Sequence, residues 1–216
     1  MHHIPNLLSV LRLILSLAMF AALAVIGAGL SGAGVGPEMG LWLARFSFVA
    51  LVVAGVTDFF DGWLARRWGA VSLIGAIIDP IADKILVCSA ILGLLAVRAP
   101  GVLIPGAVIL FREFAVSAMR EVLAPMGIKL PVTFLAKAKT TLQLVALAAI
   151  MFIWFWPAWR LDARIDHLKI ALEAAEILMG LAAIVTLWTG LEYARSALTA
   201  LLDRRAAGRK EGAAAS

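Results

Sequence analysis

Several runs in this 216-residue chain stay apolar for the ~20 residues that a helix needs to cross a hydrocarbon core of ~30 Å. With 63% hydrophobic and 15% charged residues, the chain carries more apolar surface than one soluble domain of its size buries. It belongs in a bilayer. The lone Tyr193 and the abundance of Ala, Leu, Ile and Val lack the alternating pattern of a membrane barrel. The expected fold is an all-α, six-transmembrane-helix bundle, with spans near 10–28, 40–60, 76–97, 101–123, 138–158 and 168–194. Breaks are expected at the Gly-rich stretch 27–36 with Pro37, at Pro100, at Gly127 with Pro131, and at Pro157 with the charged residues after it. Arg12 interrupts the first run early and no small-residue cleavage site follows, so that run is expected to be a retained span rather than a signal peptide.

Lys and Arg accumulate on the cytoplasmic side of membrane proteins. Arg12, Arg66, Arg67, Arg120, Lys129, Lys137, Lys139 and the basic residues from Arg195 to Lys210 fall on one side of the six-span scheme; Arg98, Arg160, Arg164 and Lys169 fall on the other. Both termini are therefore expected in the cytoplasm. Residues 1–202 read as the membrane domain and 203–216 as a basic, then Ala-rich, mobile tail. The net charge of +5 sits at helix ends rather than in one stripe, which argues for a membrane surface and against nucleic acid. Cys88 is the only cysteine, so no intrachain disulfide forms.

The segment 56–87, VTDFFDGWLARRWGAVSLIGAIIDPIADKILV, places Asp58, Asp61, Asp79 and Asp83 in or beside apolar runs. An ionised carboxylate there costs ~2.5 kcal/mol or more near the bilayer centre and needs partners. Asp58 and Asp61 are three apart and Asp79 and Asp83 four apart, so each pair projects from one face of its helix. A turn between the pairs lets the two faces meet. Clustered carboxylates repel, and with no His or Cys near all four, a hard cation such as Mg²⁺ or Mn²⁺ is the expected neutraliser. Two other readings stay open: ion pairs with Arg66, Arg67 and Lys84, which do not need so many acids, and a cation-coupled transporter, for which no internal repeat is visible.

The spacing D-x2-D-G-x2-A-R-x8-G-x3-D-x3-D is met by Asp58, Asp61, Gly62, Ala65, Arg66, Gly75, Asp79 and Asp83. It resembles the signature of the CDP-alcohol phosphatidyltransferases. The resemblance implies a six-helix, usually dimeric membrane enzyme whose cavity opens to the cytoplasm and holds two divalent cations, Mg²⁺ or Mn²⁺. Asp58, Asp61 and Asp79 would be metal ligands, and Asp83 a ligand and the general base. Gly62, Ala65, Arg66, Ser72 and Gly75 would bind the CDP-lipid. The opening IPNLLSVLR resembles the family's entry motif, which would put Asn6 and Ser9 in the nucleotide pocket; Ser9 stands where Thr is commoner and keeps the hydroxyl.

Residues 111–148 resemble the branch that acts on phosphorylated glycerol, the bacterial phosphatidylglycerophosphate synthases. That implies transfer from CDP-diacylglycerol to sn-glycerol 3-phosphate in the bacterial inner membrane. A sibling with another acceptor, inositol phosphate or phosphatidylglycerol as in a cardiolipin synthase, is the alternative. Arg112 and Arg120 lie eight residues apart, about 80° around a helix, and face one cavity. Lys137 and Lys139 lie about 200° apart, so one points inward. These four are the candidates for the acceptor's phosphate. With the aspartates committed to metal and Glu113 expected on another face, the missing partner of Arg112 would be that phosphate.

Overall fold

The computed structural model describes residues 4–30, 35–68, 73–128 and 134–214, and within them the side chains of all but residues 4–6, 58–68, 73, 74, 76, 134–137 and 205–214. Six long α-helices make up the described chain: α1 (Ile4–Gly29), α2 (Pro37–Trp68), α3 (Leu73–Ala96), α4 (Leu103–Leu123), α5 (Phe134–Trp154) and α6 (Ile165–Ala214). Each covers most or all of one expected span. The helices outrun the apolar runs, however: α2 continues to Trp68 and α6 to Ala214. Hydropathy marks where lipid would end, whereas a helix ends where its backbone bonding ends.

Length and composition suit α1 (Leu7–Gly29), α2 (Pro37–Thr57) and α6 (Ile165–Arg204) to crossing a membrane, and Ala138–Trp154 of α5 is a shorter apolar stretch. Charge sets α3 and α4 apart: Asp79, Asp83 and Lys84 interrupt one, and Arg112, Glu113, Arg120 and Glu121 the other.

Packing divides the helices into two groups of three, α1 against α2 and α3, and α6 against α4 and α5, joined through α2, α3, α4 and α5. Met19, Leu23, Leu51, Leu86, Ile91, Leu94, Ile109, Leu147, Ile150 and Met179 form one continuous buried core across both groups. Phe111, Ile104, Trp42 and Ile184 stand exposed on the outside, the inverse of a soluble surface. Close approach of α1 to α3 depends on Gly27, where a Cβ would fall 2.5 Å from the carbonyl oxygen of Ala96.

The two ends of α5 differ in chemistry. Beyond its C-terminal end, a 3₁₀ turn over Trp156–Trp159 closes the bundle with an aromatic cluster in which Phe152 stacks on Trp159 at 5.0 Å and Phe48 meets Trp159 edge-on at 5.2 Å. Arg45 Nε donates to the Ala158 carbonyl at 2.6 Å and pins that turn to α2. Lys139 lies 13 residues before Phe152, about 20 Å along the helix, and there the interior is charged.

Candidate active site

A cavity of about 500 Å³ opens between α3, α4, α5 and α6, lined by Asp83, Lys84, Arg112, Glu113, Arg120, Glu121, Lys139, Gln143 and Tyr193 among others. The expected base and three of the four expected phosphate-binding cations share it. Residues from four helices meet here because each polar position lies on the inward face of an otherwise apolar helix.

On the α3 side, the four-residue spacing does put Asp79 and Asp83 on one face, and both meet α1. Ser9, 1% exposed, donates its hydroxyl to Asp79. Arg12, equally buried, donates from Nη1 to Asp83. Arg12, on the side of the six-span scheme that carries most of the basic residues, is buried in the core, where a carboxylate on the neighbouring helix compensates its charge. Its Ser16 neighbour bonds back to the Arg12 carbonyl at 2.7 Å, so that hydroxyl is also satisfied inside α1. Pro80 lacks the N–H that would bond the Ala76 carbonyl, so the turn of α3 that carries Asp79 is one backbone bond short.

Gly75 is buried at the start of α3. Asp58, Asp61, Gly62, Ala65 and Arg66 lie on the C-terminal part of α2, but their side chains, like those of Asn6 and Lys137, are outside the described ones, and Ser72 is outside the described residues altogether. Among the described residues, no group of three or more metal-ligating side chains forms. The donor set that is described, two carboxylates with Asp83 side chain 44% exposed to the cavity, is purely oxygen and fits a hard divalent cation, which needs further oxygens from elsewhere.

On the α4 side, Arg112 is 7% exposed and held from α6. Its Nη2 donates to Thr189 Oγ1 at 3.1 Å, and its guanidinium lies 5.5 Å from the Tyr193 ring. Gly190 makes this fit possible: a Cβ there would come within 2.7 Å of Arg112 Cγ. Arg120 donates to the Tyr193 hydroxyl at 2.7 Å and sits 4.9 Å over the same ring, so one tyrosine orders both arginines. Gln143 of α5 bonds Thr186 at 2.6 Å and ties α5 to α6 below them.

Two expectations fail here. Glu113 does not face away: its Oε1 accepts from Arg112 Nη1 at 3.3 Å and pairs with Lys139. Adjacent helical positions differ by about 100°, but long side chains bend across that angle when an opposite charge rewards it. Arg112 therefore has an acidic partner within the protein, although its buried Nε has none among the described residues. Lys139 points inward, 5% exposed against Glu113, while the side chain of Lys137 lies outside the described ones. Sequence reasoning missed Arg12, Thr189, Gly190 and Tyr193. The lone tyrosine, five residues from Trp188 in an apolar helix, was the one compositional hint.

The model of the CDP-alcohol phosphatidyltransferase family matches residues 2–188. The chain belongs to that family. The match takes in all four aspartates, the glycines between them and the cationic residues of α4 and α5, and stops just short of Thr189, Gly190 and Tyr193. Curated relatives are consistent with it. The CDP-diacylglycerol–glycerol-3-phosphate 3-phosphatidyltransferase of Escherichia coli (strain K12) is 38% identical over 166 residues, 76% of this chain and 84% of the relative. Proteins of the same name from Salmonella typhimurium (strain LT2) and Shigella flexneri are 37% and 38% identical over the same shares.

Proposed function

We propose that the chain transfers the phosphatidyl group of CDP-diacylglycerol to sn-glycerol 3-phosphate, giving phosphatidylglycerophosphate and CMP. The observation that carries this reading is the meeting of Asp83 with Arg112, Arg120 and Lys139 in one cavity. The relatives named above carry the same activity in their names. Arginine and lysine suit a phosphate monoester, which no unphosphorylated alcohol such as serine or choline would match.

In this reading the acceptor's phosphate lies against Arg112, Arg120 and Lys139, and its free primary hydroxyl points toward Asp83. The hydroxyl oxygen bonds to the phosphorus that carries diacylglycerol, the bond from that phosphorus to the CMP oxygen breaks, and CMP leaves with the electron pair. Asp83 takes the hydroxyl proton. Asn6, Ser9, Gly62, Ala65, Arg66, Ser72 and Gly75 are assigned to the CDP-lipid, with the glycines allowing close backbone approach. Asp58, Asp61, Asp79 and Asp83 are assigned to two divalent cations, Mg²⁺ or Mn²⁺, whose chemistry is to neutralise the diphosphate and polarise it for attack.

The architecture that goes with this chemistry is six spans, a cavity open to the cytoplasm, both termini cytoplasmic and a homodimer in the bacterial inner membrane. The Lys and Arg distribution supports that orientation. CMP release measured from CDP-diacylglycerol against glycerol 3-phosphate, inositol phosphate, phosphatidylglycerol and serine tests the proposal. Release with glycerol 3-phosphate alone is expected. Faster release with any other member of the panel reassigns the acceptor.

A further inference from the structure

The cation cluster of the cavity already holds an anion of the protein's own. Glu113 Oε1 bridges Arg112 Nη1 and Lys139 Nζ, two groups that have been assigned to the acceptor's phosphate. We propose that Glu113 is a tethered competitor of that phosphate: it occupies the cations while the site is empty and yields them when a phosphorylated acceptor arrives. The inference rests on the acceptor reading above and adds to it the way that selectivity is set.

Three observations favour competition over a purely supporting role. Arg112 has holds other than Glu113, since Thr189, the Tyr193 ring and the gap left by Gly190 fit it from the other side. Arg120 is fixed separately by the Tyr193 hydroxyl. Removing the carboxylate therefore leaves both arginines in place and raises the positive charge of the pocket by one. The carboxylate is also attached at the cavity wall, with its side chain 22% exposed, and is free to withdraw by rotation rather than by backbone movement.

The chemical consequence is discrimination. A phosphate monoester carries a charge of about −1.5 to −2 at pH 7 and three acceptor oxygens, more than one carboxylate offers, so it displaces Glu113. Choline has no anion with which to displace it, and serine offers only a single carboxylate against another. Meanwhile the empty pocket avoids exposing unpaired buried cations, which would otherwise destabilise the helix packing.

Inorganic phosphate is the probe. Its inhibition constant against glycerol 3-phosphate, and the KM for glycerol 3-phosphate, are measured on the detergent-solubilised protein and on Glu113→Gln. Both constants are expected to fall roughly tenfold in the variant, the effect of one removed charge in a partly buried pocket, with the KM for CDP-diacylglycerol unchanged. The rise in thermal midpoint produced by phosphate is expected to grow in parallel, a readout independent of turnover. Glu113→Asp, which keeps the charge but draws it back by one methylene, is expected to shift both constants the same way by less, and it carries the test if the glutamine variant does not fold. Constants that rise or stay the same overturn the proposal and make Glu113 a support for Lys139. Phosphate that fails to compete with the acceptor in the unaltered protein overturns the acceptor reading along with it.

Discussion

Arg12 of α1 and Asp83 of α3 form an ion pair in which the arginine is 1% exposed and the aspartate side chain 44% exposed. The pair joins the opening motif of the chain to the expected general base. Removing one partner of a fully buried pair costs ~3–5 kcal/mol, and the half-open carboxylate places this pair lower, at about 2 kcal/mol. Arg12→Gln is expected to lower the thermal midpoint in detergent, and Arg12→Gln with Asp83→Asn is expected to be less destabilised than the sum of the single variants. A double-mutant cycle on thermal or denaturant unfolding measures this. Strict additivity would show that the contact carries no coupling.

Asp83→Asn keeps the shape of the side chain but removes the proton acceptor. Turnover is expected to fall at least ~10²-fold, the usual size of a general-base contribution. Asp58→Asn, where the assigned role is metal ligation, is expected to be partly rescued by raising Mg²⁺ or Mn²⁺. The unaltered protein in excess chelator is expected to be inactive and to recover when the cation is returned. Full turnover in chelator would remove the metal from the mechanism, and near-normal turnover of Asp83→Asn at saturating metal would reassign the base.

Arg112→Ala is expected to raise the KM for glycerol 3-phosphate at least tenfold while leaving the KM for the CDP-lipid within about twofold, since a charge-assisted bond to phosphate is worth ~1.5–3 kcal/mol. Arg112→Lys is expected to recover part of the loss, because it restores the charge without the planar fork. Steady-state kinetics with each substrate varied in turn provides the measurement. A variant that loses affinity for the CDP-lipid instead would place Arg112 in the donor site.

Gly190→Ala and Tyr193→Phe test the contribution of α6. The added methyl would meet Arg112 Cγ at 2.7 Å and displace the guanidinium, whereas the phenylalanine keeps the ring under both arginines and removes only the 2.7 Å bond to Arg120. Both are expected to raise the acceptor KM, Gly190→Ala by about tenfold and Tyr193→Phe by about threefold, in keeping with a strained charged contact and one lost hydrogen bond. Unchanged acceptor KM in well-folded variants would leave α6 a purely structural helix.

Membrane residence, the six helices and the facing of Asp79 with Asp83 were all legible in consecutive residues. Each follows from a local quantity, the length of an apolar run or a spacing set against 3.6 residues per turn. The aspartate signature was likewise a matter of fixed spacing, and it led to the right family. What tertiary structure alone decided was which partner each charge meets. Arg12 finds Asp83 across 71 positions, Arg112 finds Thr189 across 77, and Arg120 finds Tyr193 across 73. Glu113 turns toward the cavity because Lys139, 26 positions away, waits there. Such pairings depend on how each helix is rotated and set against its neighbours, and that is fixed by packing across the whole bundle, which no periodicity within one helix records.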